Sequence, residues 1–78
     1  MNKKPLAQEI GNLVRQLRLE AGLSQEDFAD KCELHRTYIG CIERGEKMIT
    51  IETADKVTSA LGLTLAQFFR LLENDKSN

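Results

Sequence analysis

Apolar residues recur along the chain in five blocks, spaced to line up one face of a helix. Leu6, Ile10, Leu13, Val14 and Leu17 mark the first, over about Leu6 to Ala21, with Gly22 where a left-handed residue ends a helix and Leu23 able to pack back on it. Ser24 is the expected N-cap of the second, with Glu26 and Asp27 complementing its dipole and Phe28 and Ala29 as its apolar face. The rhythm lapses over Cys32, Glu33, Leu34 and His35 and resumes at Ile39 and Ile42, a third helix with Gly45 as its C-cap. Thr50 caps a fourth, whose buried side is Ile51, Ala54, Val57, Thr58 and Leu61 and whose end is Gly62. Thr64 caps a fifth, carrying Leu65, Phe68, Phe69, Leu71 and Leu72, a broader stripe than an ordinary surface helix needs. No alternating run bounded by hairpin residues reads as a strand, and no internal repeat appears. The pattern predicts an all-α fold, a compact five-helix bundle: a short basic arm over residues 1–5, a domain over 6–72, and a polar tail over 73–78 that frays.

The third helix has a divided character. Ile39 and Ile42 point inward, while His35, Arg36, Thr37, Gly40, Cys41 and Arg44 fall on the outward side with nothing bulky and apolar among them. Such a face is built to touch something. With 78 residues the chain forms one domain with a single modest core, so any function must fit on one small surface. No apolar run reaches the roughly 18 to 20 residues of a membrane span, and the Met-Asn-Lys-Lys start lacks the apolar segment of a signal peptide, so the expected location is cytoplasmic. Cys32 and Cys41 have no second pair with which to build a zinc site and read as reduced thiols; no metal and no cofactor is expected. A net charge of -1 gives no general pull toward nucleic acid and leaves only specific binding by a local surface.

The residues also carry a family resemblance. LRLEAGLSQEDFADKCELHRTYIGCIERGEK, from Leu17 to Lys47, followed by TIETADKVTSALGLTLAQFF from Thr50 to Phe69, resembles the helix-turn-helix domain of the phage repressor, Cro and xenobiotic-response-element type of regulator, lambda repressor among them. The specific elements are GLSQ at Gly22 to Gln25, Ala29 where two helices touch, Ile39 and Ile42, IERG at Ile42 to Gly45, and ALGL at Ala60 to Leu63. RTYI followed by a small residue and IER is similar, more narrowly, to the small controller proteins of restriction-modification systems. One departure stands at the corner between the paired helices, where family members often place Gly and this chain has Glu33. A non-glycine residue in a left-handed conformation costs on the order of 1 kcal/mol.

The resemblance implies that the third helix, about residues 36–44, lies in the major groove with its N-terminal residues on base edges while the second sits across the backbone. His35, Arg36 and Thr37 then face the bases, and Gly40 and Cys41 are small enough to let the helix approach closely. Arg36 can donate two parallel hydrogen bonds to guanine O6 and N7, with roughly 1 to 3 kcal/mol of discrimination. Gln25, at a helix N-terminus, is expected on a phosphate, as are Tyr38, Arg44 and Lys47. Against this, residues 24–47 carry four basic and six acidic side chains, a poor balance for a DNA surface unless the acids face elsewhere. The resemblance gives one of them, Glu43, a structural task, as a partly buried ion pair with Arg18. No catalytic residue is expected: His35 and Cys41 stand about 120° apart around a helix and cannot form a nucleophile and base pair.

The excess apolar stripe on the fifth helix, at Leu65, Phe69 and Leu72, is the expected homodimer interface, the competing reading being that all three complete the monomer core. The function implied is that of a transcriptional regulator, not an enzyme, binding a roughly palindromic operator in double-stranded DNA as a homodimer. With no sensor domain read in the sequence, no small-molecule ligand and no membrane partner are expected. The alternative is a protein-interaction module such as an antitoxin, using the same fold.

Overall fold

The computed structural model describes the backbone of residues 5–77 and the side chains up to residue 74. Within that range the chain forms α1 (Leu6–Glu20), α2 (Gln25–Cys32), α3 (Arg36–Glu43), α4 (Ile51–Ala60) and α5 (Leu65–Ser77). The basic arm expected at the N-terminus lies, Pro5 apart, outside the described residues. Pro5 occupies the N-cap position of α1, where its lack of an N–H costs nothing, and its carbonyl accepts from the N–H groups of Gln8 and Glu9.

The caps expected for the other helices are formed. Ser24 Oγ accepts from the Asp27 N–H at 3.0 Å, and Thr50 Oγ1 accepts from the Thr53 N–H at 3.1 Å. At the start of α5 the arrangement is reciprocal: Thr64 Oγ1 accepts from the Gln67 N–H while Gln67 Oε1 accepts from the Thr64 N–H, a capping box closed at 3.0 and 2.9 Å. α1, α3 and α4 are each followed by a glycine with φ of 74°, 73° and 77°, so Gly22, Gly45 and Gly62 all adopt the left-handed conformation expected of helix terminators.

The five apolar faces converge on Phe28, Phe68, Ile39, Ile42, Val14 and Val57, none of which is exposed. α3 packs on both α1 and α2, α4 packs on α2, and α5 closes the bundle against α1 and α4. The α1–α3 approach is close enough that a Cβ at Gly11 would run into the backbone carbonyl oxygen of Ile42. Gly11 lies on the buried face between Ile10 and Leu13, and its missing side chain lets the third helix sit directly against the first.

Three expectations are corrected here. α5 does not stop at Leu72 but continues to Ser77, so 73–77 extend the helix instead of forming a frayed tail. Leu72, expected at a subunit interface, is 6% exposed and belongs to the protomer's own core. It sits one turn beyond Phe68, on the same side of α5, and the bundle closes over both. Ile51, placed on the buried side of α4, is 65% exposed, the first turn of that helix projecting past the core. Leu65 and Phe69 are half-buried, the Phe69 ring standing edge-on to Phe68 with centroids 5.6 Å apart.

Candidate nucleic-acid interface

The outer surface of α3 begins at its N-cap. His35 is extended (φ −74°, ψ 141°), and its Nδ1 accepts from the Thr37 N–H at 3.1 Å. The corner leading to it is tight. Glu33 takes φ 60° and ψ 39°, the left-handed conformation that its place between two helices demands, and the Leu34 N–H returns to the Ala29 carbonyl at 2.9 Å. Glu33 is the single non-glycine residue with positive φ among those described.

Five of the residues expected to meet DNA line one hollow: Gln25, Arg36, Thr37, Gly40 and Arg44, joined by Glu26. His35 lines the adjoining hollow with Arg36 and Glu26. Arg36 and Thr37 are solvent-exposed, Cys41 is half-buried beside them, and the backbone of Gly40 forms the floor. Tyr38 and Lys47 are not part of the hollow; Tyr38 leans partly against the core and Lys47 stands exposed on the loop after α3. Both arginines already have carboxylate partners. Arg36 Nη1 lies 3.5 Å from Glu26 in a loose, exposed pair, whereas Arg44 grips Glu46 with Nε and Nη2 at 2.7 and 3.2 Å. This second pair raises the pKa of Arg44 and lowers that of Glu46, in each case first through the hydrogen bond between them.

Beneath this surface lies the Arg18–Glu43 pair. Arg18 Nε donates to Glu43 Oε2 at 2.7 Å and Nη2 donates to Oε1 at 3.0 Å, with both residues buried. Arg18 Nη1 also donates to the Leu23 carbonyl at 2.8 Å, and Gln25 Nε2 donates to Glu43 Oε1 at 3.0 Å. The carboxylate therefore ties α1 and the first residue of α2 to the last residue of α3, while Arg18 also holds the α1–α2 turn. No buried side-chain nitrogen or oxygen among the described residues lacks a partner, the condition under which a buried charged pair is tolerated.

Residues 14–68, from within α1 to the first turn of α5, match a family model described as helix-turn-helix. The chain belongs to that helix-turn-helix family. Within it, the chain is one of the restriction-modification controller proteins. It is 46% identical to control protein C.BamHI of Bacillus amyloliquefaciens over 55 residues, 69% of this chain and 68% of that protein. It is 38% identical to control protein C.MunI of a Mycoplasma species over 67 residues, 85% of this chain and 90% of that one. Among solved structures, C.Esp1396I bound to a 25 base pair operator site is similar at a TM-score of 0.88 and 32% identity, covering 97% of this chain and all of that one. The tetramer of the same controller protein in complex with its natural 35 base-pair operator is similar at a TM-score of 0.89 and 32% identity, over 97% of this chain.

Three features of this helix-turn-helix escaped the reading from sequence. The Arg44–Glu46 pair bridges the glycine that ends α3, a spacing with no periodic signature. Gln25, expected only on a phosphate, also fastens Glu43. Gly11 gave a signal, a residue without side chain inside an apolar face, whose reason is visible only in the α1–α3 contact.

Proposed function

We propose that this controller protein is a sequence-specific transcriptional regulator that binds a roughly palindromic operator in double-stranded DNA as a homodimer, with α3 in the major groove. It works in the cytoplasm and is a regulator, not an enzyme. The observation that carries the reading is the shared hollow of Gln25, Arg36, Thr37, Gly40 and Arg44, one face holding amide, hydroxyl and guanidinium groups along the outer side of α3 and the start of α2. C.Esp1396I, the same fold at 32% identity, is known on operator DNA. Arg36 is the base-reading arginine: its pair with Glu26 is long and exposed, so exchanging that carboxylate for guanine O6 and N7 costs little. His35, Thr37, Gly40 and Cys41 meet the bases beside it, and Gln25, Tyr38, Arg44 and Lys47 meet phosphates.

Selection from a randomised duplex pool at two salt concentrations tests this, with wild type and Arg36→Ala side by side. A two-fold symmetric site is expected from the wild type, with the mutant losing preference at one base pair per half-site. Failure of the wild type to enrich any site at either salt would end the operator reading.

A further inference from the structure

Glu46 belongs to none of the contacts assigned above, yet it sets the orientation of one of them. Its own place is fixed by the end of α3. With Gly45 left-handed, the Gly45 N–H reaches the Ile42 carbonyl and the Glu46 N–H reaches the Cys41 carbonyl, each at 3.0 Å, closing a Schellman motif. A side chain at Gly45 is doubly excluded, by φ and because its Cβ would fall 2.7 Å from the Gln8 Cα. From this anchored position the Glu46 carboxylate takes two guanidinium nitrogens of Arg44, Nε and Nη2. Nη2 is also 3.7 Å from Cys41 Sγ. Nη1 makes no hydrogen bond among the described residues and lies over Gly40, where a Cβ would come within 3.0 Å of it. A long, rotatable cation is thus converted into a donor presented at one place, on the floor of the hollow.

Phosphate contacts carry no sequence information, and cations free to follow any phosphate supply most of the affinity for arbitrary DNA. We propose that Glu46 is a specificity-determining residue. By holding Arg44 over Gly40 it competes with phosphates for that cation, and it leaves only Nη1 for a group that a correctly seated duplex brings to the hollow. Arbitrary DNA, loosely seated, meets the carboxylate charge without gaining the directed contact; the operator gains the contact with the pair intact.

The proposal rests on the operator-binding reading, and the experiment separates the two. The site selected by the wild type is compared with a scrambled duplex across a salt series, for wild type, Glu46→Gln, Arg44→Ala and the double variant. Glu46→Gln is expected to tighten scrambled DNA about two- to fivefold and steepen its salt slope by about one unit, with operator affinity little changed, so that the specificity ratio falls by that factor. In the Arg44→Ala background the same change is expected to have no such effect. Equal tightening on both duplexes, or a gain that persists without Arg44, would mean that the carboxylate acts only as a general negative charge and would overturn the proposal. A wild type that selects no site would remove the operator reading and this proposal with it.

Discussion

At the scale of single residues, what mattered most was whether chemistry or backbone geometry decided the position. Glu33 is a case of geometry: the corner needs φ near 60°, and glutamate adopts it at a cost that glycine would not bear. Glu33→Gly is expected to stabilise the protein by about 0.5–1 kcal/mol, less than the full left-handed penalty because glycine also loosens the unfolded chain; denaturant melts would read it. The departure was legible because a helix-turn-helix corner names its own position. The two cysteines are a case of chemistry. Cys32 is 2% exposed and burial pushes its thiol up to about 11, so near pH 8 it stays protonated and shielded, whereas Cys41 reaches the surface. Iodoacetamide at pH 8 is therefore expected to label Cys41 in the native protein and Cys32 only after unfolding, as mass spectrometry of the digest would record. Rapid native labelling of Cys32 would contradict the packing of α2 against the core.

At the scale of elements, helix starts and stops were readable because each is a local event. Ser24, Thr50 and Thr64 each satisfy the N–H three residues on, and the glycines after α1, α3 and α4 need only their own backbone. The far end of α5 was not readable, since Glu73, Asn74, Asp75 and Lys76 offer no apolar rhythm and no stop. How elements fasten to each other was legible only through resemblance, as with Arg18 and Glu43, twenty-five residues apart. Glu43→Ala would leave a buried guanidinium with neither carboxylate oxygen and would also release Gln25. A loss of about 3–5 kcal/mol is expected, a large share of the stability of so small a domain and enough to lower its melting midpoint sharply. Glu43→Gln, which keeps one acceptor, is expected to lose less. Equal stability of all three proteins would show that the pair does not hold α3 to α1.

At the scale of the whole molecule, the remaining question is which flank of α5 faces a second copy. With Leu72 and Phe68 turned into the core, the apolar residues left over divide around the helix: at 100° per residue Leu65 and Phe69 fall on one side of that buried line and Leu71 on the other. The sequence stripe could not separate these, because a helix whose own core and whose partner are both apolar shows one wide face. The Leu65–Phe69 flank remains the proposed interface, since both side chains are half-covered and the Phe69 ring packs against the core, so a partner would complete a surface already begun. Leu71 lies with Leu63 in a mostly apolar hollow bordered by Gln67, Arg70 and Asn74, which makes that flank the rival surface. Phe69→Glu is expected to yield a monomer by sedimentation at concentrations where Leu71→Glu remains a dimer, and to weaken operator binding far more than half-site binding, because two linked half-sites are addressed together only by a dimer. Circular dichroism of Phe69→Glu guards against unfolding, given the contact with Phe68. Monomers produced by Leu71→Glu instead would move the interface to the opposite flank, and a wild type that is monomeric at high concentration would leave both flanks without a partner.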